Sequence, residues 1–593
     1  MARKTVRIGG ACAFIGDSVL GPQQLADVPG MDYLVFDYLA EMTLSSFAHA
    51  RKSNPAVGYA TDFVNVALRA VLPRCVQRGI RLVANAGGLN PRGCAQAIEA
   101  LARELGCRVR VAFVEGDDCL GLMPQLAAEG AADFYTGAPM PHGLDSANAY
   151  LGAAPIARAL DRGADIVVTG RIVDSAATLG ILMHAFGWGA DDPDALAAGS
   201  LAGHVLECGA QATGGIFTDW ASVPGWERIG YPFVDCEADG RFVVGKPEGS
   251  GGLLTTATVG EQILYEVGDP RSYVLPDVVC DFSQVRVTQE GPDRVRVEGA
   301  RGRPAPAAYK VSATYQQGFR CIASLSVFGI DAVPKARRTG EALLARVRAM
   351  LAAQGLDDFE KASVTVLGAE DGYGPHARDG RLREAVVRIA ALHADAAALA
   401  LLAREARAAG VSFAPGTTSG SALNLNSSAP VEPLYRLFSC LVDKHRLPPA
   451  RVELDGRVEE VPVPAPAAAA ATSPEPAPAG EAAAAPRSDR QVPLIALARA
   501  RSGDKGDTSN IAVLARRPQD LPLLRRELTP ERVGRHLAHL VKGPVFRYEV
   551  PGLHALNFLL LQSLDGGGPT SLRPDPMGKG LAQMLLEMPV HAD

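Results

Sequence analysis

The sequence predicts an α/β protein: a mostly parallel, doubly wound N-terminal lobe, a mixed α/β second lobe and a small α+β C-terminal domain. Three observations predict it. Short apolar runs alternate with helical periodicity over the first third, a turn-rich β pattern follows from about residue 231, and an Ala/Pro-rich stretch isolates the last hundred or so residues. The parts are expected at 1–230, 231–460 and 492–593, with 461–491 as linker.

In the first lobe, strands are expected at 6–9, 33–36, 81–84, 109–114 and 164–169, and helices at 57–78 and 91–105. The second helix opens on Pro91, a residue suited to a first turn because its missing N–H is not needed there. Near-continuous apolar strands alternating with helices indicate a parallel sheet buried on both faces. Ligands of such sheets bind at the carboxyl ends of the strands, so the loops that follow each strand are the ones to examine.

In the second lobe, Asp239-Gly240 between two apolar runs predicts a hairpin. Further strands are expected at 278–287, 295–297, 309–328, 363–367 and 384–392, with helices at 343–351 and 394–408. Residues 462–490 are mainly Ala and Pro without aromatics, a composition that cannot bury enough apolar area to offset ordering entropy. Extended, such a linker spans on the order of 90 Å. In the tail, strands are expected at 492–499 and 510–514 and a helix at 530–540, with a long polar loop from Arg501 to Asn510.

The chain has 593 residues, 47% of them hydrophobic and 21% charged, which excludes a disordered chain or a coiled coil. With 59 Lys and Arg against 65 Asp and Glu, the formal net charge of -6 argues against nucleic-acid binding, which needs a basic surface. Ten scattered cysteines with no Cys-x-x-Cys pair read as reduced thiols, and no metal site follows from their spacing. Neither a secretory leader nor a membrane span is read from the sequence, so a cytoplasmic protein is expected.

Several strand-end motifs carry possible chemistry. Gly16-Asp17-Ser18 can bind an anion, cap a turn or supply a serine nucleophile, although the Asp-x-x-His partner that GDSL-type esterases need is missing. Asn85-Ala86-Gly87-Gly88 precedes a helix whose first N–H groups can take a phosphate or carboxylate, or simply needs glycine for its turn. Arg171, with Asp174 and Ser175, follows another strand and can grip an anion bidentately, or Asp174 can cap the helix. Glu207, Gln211 and Thr213, with Gly214 and Gly215, form a polar group rich in small residues, and Ser250-Gly251 lies in a further glycine-rich loop. His204 precedes Cys208 by four residues and can share its helix face, but a structural role for that cysteine is favoured. His536 and His539, at i and i+3, lack a third ligand, and the Glu370–His376 region reads as an ordinary loop.

Hairpins usually close in two to five residues, so a ten-residue loop of Arg501, Ser502, Asp504, Lys505, Asp507 and Asn510 suggests function. Together the glycine-rich loops suggest a polyanionic ligand, for which the first lobe supplies little basic charge. The tail is therefore expected to fold back and present Lys505 with Arg501 to the ligand or to a neighbouring subunit.

The blocks 9–18 (Gly-Gly-Ala-Cys-Ala-Phe-Ile-Gly-Asp-Ser), 37–44 (Asp-Tyr-Leu-Ala-Glu-Met-Thr-Leu), 83–91 (Val-Ala-Asn-Ala-Gly-Gly-Leu-Asn-Pro), 168–175 (Val-Thr-Gly-Arg-Ile-Val-Asp-Ser) and 209–215 (Gly-Ala-Gln-Ala-Thr-Gly-Gly) occur together. Over roughly residues 5–455 the chain resembles the acyclic terpene utilisation (AtuA) family. Its tail, with Ser-Gly-Asp-Lys-Gly-Asp-Thr at 502–508, resembles the ferredoxin-like domain often attached to that family. The resemblance implies bacterial breakdown of acyclic terpenoids such as citronellol or geraniol through branched acyl-CoA thioesters. It carries over no catalytic residues.

The expected activity is hydratase or lyase chemistry on a branched acyl-CoA or related carboxylate. Asp17, Ser18, Glu207, Gln211 and Lys505 are the catalytic candidates. No cofactor motif is evident, and coenzyme A enters as part of a possible substrate. A homo-oligomer is expected. The alternatives are a non-catalytic acyl-CoA-binding or scaffolding subunit, and a serine esterase using Ser18.

Overall fold

The structure, a computed structural model, describes residues 5–378, 381–418, 429–463 and 490–592. Residues 464–489, most of the expected linker, lie outside them. The protein is α/β, with several sheets and a small α+β tail.

Among the described residues its main sheet has eleven strands. Five at the centre are parallel, in the order Thr5–Cys12, Tyr33–Phe36, Arg81–Ala84, Ile166–Thr169 and Val111–Glu115. Side chains of a strand alternate between faces, and here both faces are buried. Leu82, Ala84, Ile166 and Val168 pack into one core with the helices Leu20–Asp27, Arg69–Arg78 and Pro91–Glu104. Val83 and Val167 enter a second core with the helices Ala154–Asp161, Ala176–Phe186 and Pro193–Glu207. The sheet is thus wound on both sides, as the unbroken apolar strands required.

Antiparallel strands extend both edges. Phe233–Glu237 pairs with Thr5–Cys12, and Phe242–Gly245, Arg294–Glu298 and Arg286–Gly291 continue outward. The expected Asp239-Gly240 hairpin joins the first two, with Gly240 at φ +87°. At the other edge Ala450–Leu454 pairs with Val111–Glu115 and then with Arg457–Val461. One sheet therefore draws strands from both sides of residue 230.

The second sheet is built around Ala308–Phe328, a 21-residue strand. Its antiparallel partners include Val431–Asp443, Glu384–His393 and Ser146–Ala149, and Lys361–Leu367 pairs beyond Glu384–His393. The helices Ala332–Ala353 and Ala396–Ser412 bury Leu343, Val347, Leu399 and Leu402 against it, sharing a core with Leu325, Val387 and Ile389.

The tail is a four-stranded antiparallel sheet, in the order Ala498–Lys505, Thr508–Ala515, Ala555–Leu560 and Val545–Val550. It is backed by short helices, of which Leu521–Glu527 and Leu581–Leu586 supply Leu524, Leu581 and Leu585 to the core. Here one expectation is corrected. Arg501–Asn510 is not a ten-residue loop: Lys505 pairs with Thr508, and Gly503 pairs with Asn510, so only Gly506-Asp507 turns the chain. Gly506 sits at φ +63°, where glycine is strain-free. The segment reads as a loop because its strand side chains are polar. One face is polar because it docks on the rest of the chain, Arg501 meeting Gln211, Lys505 meeting Glu266 and Asn510 meeting Leu264 and Glu266, while Ser502 and Ser509 on the other face bond to the tail's own backbone at Gly578 O and Gly503 O.

Candidate functional site

The site lies where the central strands end, the place a parallel sheet offers to ligands. Asp37 follows Tyr33–Phe36, Asn85 follows Arg81–Ala84, and Arg171 follows Ile166–Thr169. The Asn85 amide holds the Asp37 carboxylate at 2.7 Å and receives the Tyr38 N–H at 2.7 Å. The Arg171 guanidinium is buried. It donates to Leu39 O and, at 2.9 Å, to Asp174, and it stacks on Tyr150 with its Cζ 4.2 Å from the ring centroid. Its backbone N–H goes to Asp117 at 2.8 Å.

The end of the Pro193–Glu207 helix adds a second charged pair. His204 Nδ1 lies 2.8 Å from Glu207 Oε1. His204 is 1% exposed, and its Nε2 is buried with no hydrogen-bond partner among the described residues. Burial pushes the Asp37 carboxyl well above the usual carboxylate range; Asp174 and Glu207 push it further, while Arg171 and Asn85 pull it back. Burial also raises Glu207, against the pull of His204. For His204, burial works against the charged ring, but the Glu207 carboxylate outweighs it and the pKa is raised. Asp37, Asp174, Glu207 and His204 thus form a crowded acid–base group whose charges act directly on one another.

The tail closes over this group. Lys505 Nζ pairs with Glu266 at 2.9 Å, and its charge reaches Glu207, His204 and Tyr273. Lys579 bridges Glu266 at 3.5 Å and Asp504 at 3.0 Å. Burial would raise the Glu266 carboxyl, but the two lysines bring it down to about 2. Glu266 adopts φ +59°, a left-handed conformation that costs a non-glycine residue energy. Asn510 Oδ1 fixes that turn by accepting the Glu266 N–H at 3.0 Å. Gly503 leaves room for it, since a Cβ there would stand 2.4 Å from Glu266 Cγ. Arg501 is 3% exposed, donates to Gln211 Oε1 and lies over the Tyr265 ring at 4.5 Å. Its Nε and Nη1 are buried without a hydrogen-bond partner among the described residues. Nearby Glu261, raised to about 7 by burial, has Arg501 as a compensating charge. Burial holds the Cys208 thiol well above its ordinary value, so it stays protonated.

Two further contacts fasten the tail. Asp219 of the first lobe receives Arg499 at 2.7 Å and Arg516 at 2.6 Å. Asn557 Nδ2 donates to Val267 O at 2.8 Å and Gly268 O at 2.6 Å.

Of the candidates read from sequence, the fold brings Asn85, Arg171, Asp174, Glu207, Gln211, Arg501, Asp504, Lys505 and Asn510 to this region. It gives the others local tasks. Asp17 Oδ1 accepts Tyr231 Oη–H at 2.7 Å and the Ser18 N–H at 2.7 Å, Ser18 Oγ accepts the Leu20 N–H at 3.2 Å, and the Gly16 N–H goes to Asp62. No histidine is hydrogen-bonded to Ser18 among the described residues. The Gly87 N–H is spent on Thr169 O at 3.0 Å and the Gly88 N–H on Asn85 O at 3.4 Å. Ser175 opens the Ala176–Phe186 helix and accepts the Leu179 N–H at its carbonyl. Thr213 Oγ1 donates to Gly230 O at 2.5 Å, and Gly214 and Gly215 turn the chain beside it, Gly214 at φ +104°. Ser502 Oγ donates to Gly578 O at 2.6 Å, and Asp507 caps Leu564 and Gly566.

Ser250 Oγ donates to Pro247 O at 2.6 Å, and the Gly251 N–H goes to Arg228 O at 2.8 Å. A Cβ on Gly251 would fall 1.9 Å from Gly225 O, a backbone atom that cannot swing away. Gly251→Ala is therefore expected to destabilise the fold by about 1–3 kcal/mol, the usual range for overpacking. Urea unfolding measures this; an unchanged midpoint would show that the loop has room to spare.

Sequence reading missed Asp37, Tyr265, Glu266 and Lys579, and weighed His204 only as a neighbour of Cys208. Asp37 stands directly after an apolar strand, the one signal that could have found it. Among the described residues, no group of three or more His, Cys, Asp or Glu side chains is arranged to hold a metal ion, and no helix is long and apolar enough to cross a membrane.

A family model described as acyclic terpene utilisation family protein AtuA matches residues 6–453. A second, described as AtuA ferredoxin-like domain, matches residues 492–591. No curated protein and no solved structure matches the chain.

Proposed function

Since the chain belongs to the acyclic terpene utilisation family AtuA, we propose that it serves that catabolism as a hydratase or lyase acting on a branched acyl-CoA or related carboxylate. One observation carries the reading: Asp37, Asp174, Glu207 and His204 crowd one end of the parallel strands beneath a lysine from the tail. General acid–base catalysis needs groups whose environments push their pKa values toward neutrality. In hydration, Glu207 takes a proton from water as the oxygen bonds the β-carbon, and Asp37, whose protonated form burial favours, returns a proton to the α-carbon. Dehydration runs the same steps backwards. Negative charge on the thioester or carboxylate oxygen is met by Lys505 and by the free donors of Arg501. Coenzyme A enters as part of the substrate.

Thermal-shift titration with acyl-CoAs, free acids and nucleotides tests the ligand class. Lys505→Ala is expected to weaken binding of the best acyl-CoA about 10- to 100-fold, the cost of one charged hydrogen bond. Its effect on stability is expected to stay within about 1 kcal/mol, because the Lys505–Glu266 pair is partly exposed. Unchanged affinity would remove Lys505 from the site. Tight binding without turnover would favour a non-catalytic acyl-CoA-binding subunit.

A further inference from the structure

We propose that the seam between the tail and the second lobe is a proton-sensitive clasp, in which His536 and His539 of the tail, packed against His376 of the lobe, hold while neutral and part in acid. The His376 ring lies 4.3 Å from that of His536 and 5.8 Å from that of His539, centroid to centroid. Each ring spends Nε2 on a backbone carbonyl: His376 on His536 O at 2.8 Å, His539 on Gly372 O at 3.1 Å, and His536 on Met584 O at 3.1 Å. The first two bonds cross the seam. A carbonyl only accepts, so Nε2 carries the hydrogen and Nδ1 of the neutral ring holds a lone pair. His539 Nδ1 is buried with no partner among the described residues. The lobe's loop is shaped for the contact: Gly374 sits at φ +54°, and a Cβ there would meet His539 Cδ2 at 2.7 Å.

Protonation would place an N–H on that buried nitrogen with no acceptor, beside another imidazole. Arg573 and Lys542 add positive charge around His539. Glu587 is the carboxylate facing His536, and Arg378 already engages it. On the loop, Glu370 is taken by the Arg378 N–H at 2.8 Å and Asp371 by Arg337 at 2.7 Å. Burial lowers His536 and His539, and the neighbouring rings lower both further. The sign follows. Above the ordinary imidazole pKa of about 6.5 these rings are neutral in both the closed and the open seam and contribute no pH dependence. Below it the open seam binds protons that the closed seam rejects, so closure weakens as pH falls until the depressed pKa values are reached. Acid would leave the tail held by its other fastenings, among them Asp219, Asn557, Lys505–Glu266 and Lys361–Asp565.

Hydrogen–deuterium exchange of the full-length protein from pH 8 to 5, corrected for intrinsic amide chemistry, tests this. Opening at residues 366–378 and 530–543 is expected to rise about tenfold per pH unit below 6.5, and up to a hundredfold if both rings take up protons together. The core strand Tyr33–Phe36 should not follow. In the double variant His536→Gln, His539→Gln the rings are replaced by amides that do not titrate, and the excess slope should vanish. Seam and core exchanging in step, or a variant as steep as the wild type, would overturn the proposal. Should the double variant not fold, ring-proton NMR of the wild type decides: titration of His536 and His539 at or above 6.5 overturns it, and titration below 6.5 supports it. No readout here involves a substrate, so the result stands apart from the acid–base reading of the site.

Discussion

The Glu207→Gln variant is expected to lose turnover by about 10²–10⁴-fold, the usual contribution of a positioned acid or base, with KM little changed. The replacement is nearly isosteric and can still accept a hydrogen bond from His204 Nδ1, which lies 2.8 Å from the carboxylate. What it removes is the group's capacity to take a proton, together with one charge that acts on Asp37. The base limb of the kcat–pH profile should disappear with it. The measurement is steady-state kinetics on the acyl-CoA that gives the largest thermal shift. Activity within threefold of wild type would leave Glu207 a structural partner of His204 and return the search to Asp37 and Asp174.

Arg171→Ala is expected to cost about 3–5 kcal/mol at neutral pH, the range for stripping the partner from a buried charge. The guanidinium balances Asp174 and Asp37, donates to Leu39 O and covers Tyr150. Lysine should recover only part of this, because a point charge cannot reproduce the planar fork and the stacking. The deficit should shrink on acidification. Asp37 has a folded pKa raised above its unfolded value, so its protonated form favours the fold, and stability is regained as pH falls from that raised value toward the ordinary carboxylate range near 4. Losing Arg171 removes a charge that lowers the Asp37 pKa and so widens this window. Denaturant melts at pH 7 and pH 5 test both the size and the sign; a deficit that grows in acid would contradict the assignment.

Much of the first lobe was legible because its strands obey a local rule. Tyr33–Phe36 and Ile166–Thr169 are buried on both faces and read as unbroken apolar runs. Ser146–Ala149 was invisible, since Ser-Ala-Asn-Ala carries no strand signal and is held by pairing with a strand more than 160 residues away. The site divides the same way. Arg171 and Glu207 stand at element ends, where sequence can point. Glu266 and Lys579 acquire meaning only through the tail's docking. The Arg501–Asn510 hairpin was misread for that reason too: polarity in a strand implies a loop unless a polar partner surface is already known.

The two strands that complete one edge of the main sheet, at 450–461, set a schedule for biosynthesis. Val114 waits for Val452, and a ribosome adding about 5–20 residues per second needs on the order of tens of seconds to bridge that interval. Until then the Val111–Glu115 strand offers a bare row of backbone donors and acceptors, a template for joining another nascent chain. Heterologous expression is therefore expected to fail by aggregation for any truncation that stops before residue 454, however intact the upstream sequence.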